Sequence, residues 1–372
     1  MPNKNAIGYR PTWAEVNLDN LEHNFKKIKS LLRDKTKVLV TVKADAYGHG
    51  LIAVAKRLAG CGVDYLGVAS IDEGIALRQA GVKTPILILG MILSKDIGPL
   101  FTYRLIPTIC DRQMAAVLNA KARAMKQKIP VHVKVDTGMG RIGVAPEEAL
   151  NLVTAIHKLK HIQVQGIFTH FALADSDRKF TASQLKLFNQ LIGDLKKRGI
   201  NIPLVHAANS IGLISHGKSH FNMVRPGLVI YGLYPKRLSL DLKPVLSLKT
   251  RVVFVKQVGT GSGISYGRTY ITKKPTRIVT LPVGYGDGYP RNLSNLAWLL
   301  IGGRRFRVSG RICMDQIMVD VGNFKPRLGE EVVLIGKQGK QKVTAEELAD
   351  LAGTIPYEIV CGLGSRIPRV YK

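Results

Sequence analysis

Acidic residues, cysteines, aromatic side chains and long apolar runs are all scarce in this chain of 372 residues. No stretch approaches about 18 uninterrupted apolar residues, the length a membrane-spanning helix needs, so no membrane association is expected. The four cysteines, Cys61, Cys110, Cys313 and Cys361, lie far apart without a CxxC pair. That spacing reads as reduced thiols of a cytoplasmic protein, not as a disulfide framework or a zinc site, and no metal is expected. The first ten residues carry no apolar core of a secretory signal. Glycine (37) and proline (17) follow no period, which excludes collagen-like and low-complexity classes. The acid shortage is the odd feature: Lys+Arg 55 against Asp+Glu 26 leaves a net charge of +29. The basic residues are spread along the chain, and aromatics make up only 6%. Without a basic block interleaved with aromatics, this reads as a charged solvated surface, and specific nucleic-acid binding is not expected.

What is present is apolar: 46% of residues are hydrophobic, enough for a real core without staples. Eight short continuous runs punctuate the first two-thirds: 38–42, 65–69, 86–89, 105–109, 131–135, 164–169, 203–207 and 223–231. Continuous rather than alternating runs suit parallel strands buried on both faces. Helical stripes lie between them, such as Leu18, Leu21, Phe25 and Ile28, or Leu185, Phe188, Leu191 and Leu195; around 94–102 that pattern is weak. Residues 1–240 are therefore expected to form an α/β domain, a TIM-like (β/α)8 barrel. Residues 241–372 change texture, with strand-like runs at 248–255, 277–281, 297–301, 306–308, 316–321 and 332–335 and turns between them. They predict a mostly β domain with one helix, capped by Thr344 with Glu347 three residues later.

Polar, glycine-flanked groups recur where the predicted strands end. Lys43 follows the first run, with Tyr47 four residues on; a lone lysine there is more often simply exposed, yet one with a depressed pKa is a Schiff-base amine. Lys134 stands near the end of the 131–135 run and Arg141 beyond it, Arg141 offering a planar fork for an anionic oxygen. His170 ends the next run, where a core histidine is the bland alternative. Asn209 and Ser210 follow the 203–207 run, and Arg225, Gly227 and Leu228 lie within the last, a region where barrels often hold phosphate. Each is weak alone; five such strand ends on one barrel are a stronger signal.

Nine blocks in order, VKADAYGHG, KVDTGMGRIG, GIFTHFA, HAANS, NMVRPGLVIYG, ISYG, PVGYGDG, GRICMDQ and TIPYEIVCGL, resemble the alanine racemase family, whose members use pyridoxal 5'-phosphate (PLP). The resemblance implies an enzyme that interconverts L-alanine and D-alanine by a two-base mechanism and supplies D-alanine for peptidoglycan. It implies Lys43 as the cofactor-bearing lysine and one base, and Tyr266 as the opposing base, lent by the second subunit of a homodimer. Tyr47, Ser210, Gly227, Leu228 and Tyr357 would hold the phosphate, beside Asn209. Arg225 would face the ring nitrogen with His170 alongside. Arg141 would contact the cofactor phenolic oxygen and, with Met314 and Asp315, the substrate. Lys134 matches a lysine that can be carbamylated, and Asp175, Tyr285, Arg291 and Arg311 match an entry corridor.

Three other readings compete. A decarboxylase of the same fold would place a carboxylate at the ring nitrogen, where Arg225 stands. A non-catalytic PLP carrier would lack residues 245–372. A nucleic-acid binder would need sequence preference beyond salt-dependent adhesion.

Overall fold

The computed structural model describes residues 9–234 and 240–372. Eight parallel strands form the first sheet: β2 (Lys37–Thr41), β3 (Tyr65–Val68), β4 (Ile86–Ile88), β5 (Thr108–Ile109), β6 (Ile129–Lys134), β7 (Ile162–Phe168), β8 (Leu204–His206) and β9 (Met223–Val224). Their order is β4-β3-β2-β9-β8-β7-β6-β5. A parallel bridge between Leu87 and Ile106 joins the two ends, so the sheet is a nearly closed barrel with helices between its strands. Leu39, Tyr65, Leu87, Ile106, Leu204 and Met223 pack as one cluster inside it.

One expectation about this region changes, and the weak helical pattern of 94–102 is matched by short pieces. The 223–231 run is a strand only at β9, because Pro226 removes a ladder donor; Leu228–Tyr231 is a short 3₁₀ turn. The 94–102 region holds two single-turn pieces, Ser94–Asp96 and Gly98–Thr102.

The remainder is mostly β. A seven-stranded sheet contains β1 (Thr12–Val16), β10 (Leu246–Arg251), β15 (Trp298–Ile301), β16 (Arg304–Arg307), β18 (Glu331–Gln338), β19 (Gln341–Val343) and β20 (Arg369–Tyr371). A three-stranded sheet orders β11 (Phe254–Val258), β14 (Thr276–Leu281) and β17 (Ile317–Gly322), and β12 (Gly263–Ile264) pairs with β13 (Tyr270–Ile271). The 248–255 run is thus two strands in different sheets. β1 was not anticipated: it runs antiparallel to β10 and parallel to β20. By clustering of contacts, the described residues among 1–24, 47–50 and 231–372 form one unit, and 25–46 with 51–230 the other. The helix Ala345–Ala352 is capped as expected, Glu347 N–H donating to Thr344 Oγ1 at 3.1 Å. The Glu347 carboxylate does not close the capping box, because it pairs with Arg305.

Candidate active site

Lys43 follows β2 and opens a turn, Lys43–Gly48, of unusual hand. Ala44, Asp45, Ala46 and Tyr47 have φ of 53°, 53°, 52° and 55°, four non-glycine residues in succession in the left-handed region. Each costs about 1–2 kcal/mol, so the surroundings must impose this turn. Glu73 Oε1 accepts the Ala44 N–H at 2.7 Å, and Asp45 Oδ1 accepts the Leu51 N–H at 2.7 Å. Gly48 ends it, where a Cβ would lie 2.2 Å from the Val360 carbonyl oxygen. Strain of this kind collects where a backbone is shaped around a ligand.

The other barrel strands deliver a cluster of cations. Arg225, just after β9, is 5% exposed. Its Nη2 donates to the carbonyls of Thr169 (2.7 Å) and Ala207 (3.1 Å), and its Nη1 lies 2.7 Å from His206 Nδ1. Burial pulls its pKa down to about 9, leaving it charged at neutral pH. Its guanidinium carbon sits 5.1 Å from the Phe168 ring centroid, and Lys134 Nζ lies 5.6 Å from the same ring. Lys134, at the end of β6, is 2% exposed and donates to the Val135 carbonyl at 2.8 Å. Burial, then repulsion from Arg225, lowers its amine to about 7, with Asp136 opposing. Burial works to raise the Asp136 carboxyl, but N–H groups from Gly138, Gly140 and Met139 outweigh it and hold it below its usual range. His170 is kept neutral, well below 6.5, first by burial and then by Arg225, Arg141, Lys134 and Lys43. Its Nδ1 is 3.4 Å from Arg225 Nη2. Ser210 Oγ accepts the Gly227 N–H at 3.0 Å, which leaves the hydroxyl hydrogen for another acceptor. Asn209 Oδ1 accepts the Gly212 N–H at 2.8 Å and caps the helix Ser210–Ser215. Leu228 is fully buried and opens the 3₁₀ turn.

The β-rich unit carries the rest. Tyr47 and Tyr357 have ring centroids 5.7 Å apart, and burial, then the two neighbours Tyr357 and Cys361, raise the Tyr47 phenol. Tyr266 is 70% exposed, on a tight turn between β12 and β13. Ser265 and Arg268 take φ of 64° and 46° there. Ser265 Oγ donates to the Arg311 carbonyl at 2.5 Å. A Cβ on Gly267 would come within 3.1 Å of the Arg311 guanidinium carbon, so that cation lies against the Tyr266 turn. Arg268, by contrast, lies over Gly263. Met314, 53% exposed, sits on a loop tied to the Tyr285 turn: Tyr285 N–H donates to the Cys313 carbonyl (3.0 Å) and Gly286 N–H to the Met314 carbonyl (2.9 Å). Asp315 accepts from Arg366 at 2.6 Å. Arg291 is exposed in its own short turn, and Asp175 is exposed beyond β7.

Within the barrel unit, then, the structure brings Lys43, Lys134, Arg141, His170 and Arg225 into one electrostatic cluster, and Ser210 onto Gly227. Within the β-rich unit it joins Tyr47 to Tyr357, and Tyr266 to Arg311. Sequence reasoning missed the left-handed turn, the His132–His206 pair beneath Arg225, and Asp287, fully buried between Arg10 and Arg366.

Two family models cover nearly the whole chain: alanine racemase, N-terminal domain, over residues 16–235, and alanine racemase, C-terminal domain, over residues 245–371. The chain belongs to the alanine racemase family. An alanine racemase of Halothermothrix orenii is 49% identical over 368 residues, covering 98% of this chain and 97% of that protein. One from Carboxydothermus hydrogenoformans is 45% identical, covering 97% and 100%. Among solved structures, alanine racemase of Clostridium difficile 630 superposes with a TM-score of 0.94 at 41% identity, covering 98% and 96% of the two chains. The chain is thus an enzyme, an amino-acid racemase of this family. Among the described residues, no helix is long and apolar enough to cross a membrane.

Proposed function

We propose that this racemase uses PLP and two opposed bases, Lys43 of one protomer and Tyr266 of its partner in a homodimer, to interconvert L-alanine and D-alanine. The observation that carries the reading is the gathering of basic groups at the barrel strand ends around Arg225, which is buried and charged. Lys134, Arg141, Arg225 and Lys43 all act on neutral His170, while Asp136, the carboxylate acting on Lys134, is already taken up by three backbone N–H groups. Buried cations call for anions. The phosphate and phenolic oxygen of PLP and the substrate carboxylate have that charge, so these residues fit the group. Ser210, with a hydroxyl hydrogen to give, suits the phosphate, joined by Tyr47, Tyr357 and the Asn209, Gly227 and Leu228 backbone. Arg141 suits the phenolic oxygen and the substrate carboxylate.

Bound there, PLP would supply a conjugated electron sink that makes the alanine Cα proton removable. Acid–base groups alone typically contribute about 10²–10⁴-fold, short of the 10⁶ or more that enzymes reach. Arg225 can only donate hydrogen bonds, so an acceptor facing it stays unprotonated. That makes the sink weaker than an acid partner would, and it favours prompt reprotonation over side reactions. The Lys43 amine takes or gives the Cα proton on one side and the Tyr266 phenol on the other, which accounts for inversion. Arg311 lies against the Tyr266 turn, a cation beside the backbone that carries the phenol. The dimer reading draws on the exposure of Tyr266 (70%) and Met314 (53%), two site residues whose large side chains a partner would cover. Met314 and Asp315 would then meet the substrate of the other protomer, with Asp175, Tyr285, Arg291 and Arg311 along its entry. A cytoplasmic enzyme supplying D-alanine for peptidoglycan is the role that follows.

The test is incubation with L-alanine in D₂O, with and without added PLP. Loss of optical activity by circular dichroism should track α-deuterium uptake by mass spectrometry and should require PLP. Equal deuteration of cofactor-stripped protein would sink the reading.

A further inference from the structure

Beneath Arg225 the barrel holds a line of buried imidazoles whose protons the geometry assigns. His206 Nδ1 lies 2.7 Å from Arg225 Nη1. A guanidinium nitrogen donates and never accepts, so His206 Nδ1 is bare and the His206 proton sits on Nε2. That Nε2 lies 2.9 Å from His132 Nδ1, which must therefore accept, leaving the His132 proton on its own Nε2. At the far end, His132 Nε2 and Gln165 Oε1 are both buried, and neither has a hydrogen-bond partner among the described residues. The Gln165 side chain is the polar group bearing on His132. The hydrogen-bonded series therefore runs Arg225, His206, His132, with the Gln165 side chain beyond its end.

The fold makes room for this line. His132 of β6 stands in register with Gly166 of β7, and a Cβ at 166 would fall 2.4 Å from the His132 Cε1 and Nδ1. Only glycine lets the imidazole lie there. Phe168 stacks on His206 with centroids 4.8 Å apart and planes 6° off parallel, locking its plane. Burial, then the charge of Arg225, holds His206 neutral, and burial takes His132 down to about 3.

We propose that His132 is a positioning residue that holds His206 in its Nε2–H tautomer and thereby fixes the Arg225 guanidinium. The opposite tautomer would set an N–H against an N–H and release Arg225 from one of its three short contacts. The functional consequence rests on the reading above that Arg225 faces the cofactor ring nitrogen; the tautomer assignment does not.

Long-range ¹H–¹⁵N spectra of the full-length chain labelled at histidine nitrogens, recorded with and without PLP, test the assignment, the His206 signals being identified by their loss in His206→Gln. A bare Nδ1 and protonated Nε2 on His206 from pH 6 to 9 are expected; a protonated Nδ1 or a doubly protonated ring overturns the proposal. His132→Leu should then give mixed His206 tautomers and raise pyruvate released per D-alanine formed by about tenfold, the low end of what outer partners of a functional histidine contribute. His132→Asn, whose Oδ1 replaces the Nδ1 acceptor, should restore a single tautomer and a ratio within about twofold of the parent. An unchanged ratio in folded His132→Leu overturns the positioning role. Should His132→Leu not fold, Gly166→Ala displaces the same ring and is read by the same two measurements. Failure of the PLP reading alone would show as absent racemisation with the His206 tautomer intact.

Discussion

Arg366 and Asp315 are joined by a hydrogen bond of 2.6 Å, and Asp315 is the neighbour of Met314 on the loop proposed to meet the substrate. The same Arg366 reaches Asp287 at 3.4 Å, whose other oxygen accepts from Arg10 at 2.7 Å. Asp287 also accepts the Gly284 N–H at 2.9 Å. One buried carboxylate thus ties the Gly284–Gly288 turn to the Met314 loop.

The two ends of this network should respond differently. Arg366→Leu removes a half-exposed guanidinium, and exposed pairs are worth about 0–1 kcal/mol, so melting should barely move. The freed Met314 loop should raise KM for alanine by about three- to tenfold with a smaller change in kcat. Asp287→Ala deletes the fully buried member. Breaking a buried pair costs about 3–5 kcal/mol, less here because Arg10 and Arg366 both reach water; a loss near 2 kcal/mol should lower the melting temperature clearly. A KM change from Asp287→Ala without any loss of thermal stability would contradict this division.

Mixing two inactive variants tests the shared site. Lys43→Ala and Tyr266→Phe should each be inactive alone, the second with its PLP absorbance intact. Mixed dimers would rebuild one site from the Lys43 of one protomer and the Tyr266 of the other. With random exchange about half the dimers are mixed and each has one working site, so activity should return to about a quarter of the parent. Lack of any recovery after verified subunit exchange would place both bases in one protomer.

The residues show which parts of the structure the sequence made legible. The barrel strands could be read because burial on both faces leaves continuous apolar runs, and Lys43 lies at the end of one such run. β1 could not, because Thr12–Val16 is five residues long and its partners, β10 and β20, lie more than 200 residues away. The run after Met223 is apolar whether strand or 3₁₀ turn, so composition could not separate them. Of Ala-Asp-Ala-Tyr only Asp45 is of a type enriched at positive φ, too little to signal four such residues in succession, so the left-handed turn after Lys43 was invisible. His132 and His206 are 74 positions apart and meet only through the register of β6, β7 and β8. Local patterns name the strand ends; pairings across the barrel decide what stands behind them.

Ser210 separates cofactor binding from chemistry. Its Oγ accepts the Gly227 N–H, so Ser210→Ala both removes a phosphate donor and loses the acceptor that orients the Gly227 N–H. The dissociation constant for PLP should rise about tenfold or more, measured by equilibrium dialysis, while kcat at saturating PLP stays within about threefold. A fall in kcat at full occupancy, with PLP affinity unchanged, would remove Ser210 from the phosphate site.

Lys134 makes stability depend on pH with a defined sign. Its folded amine titrates near 7 against an ordinary 10.5, so between those values the unfolded chain binds a proton that the folded chain does not. Stability then rises with pH across that window and, for this group, flattens below about 7, where both states are charged. The difference in denaturation midpoint between the parent and Lys134→Met isolates the effect. In CO₂-free buffer the advantage of Lys134→Met should be largest at pH 7 and below, and shrink toward pH 10. A neutral amine at physiological pH is also what carbamylation requires, and a carbamate anion would offset the Arg225 and Arg141 charges beside it. With ¹³C-bicarbonate present, the parent should show a protein-bound carbamate carbon by NMR that Lys134→Met lacks, and its pH slope should flatten as the label accumulates. A slope insensitive to bicarbonate, with no bound ¹³C, would leave Lys134 as a plain buried amine.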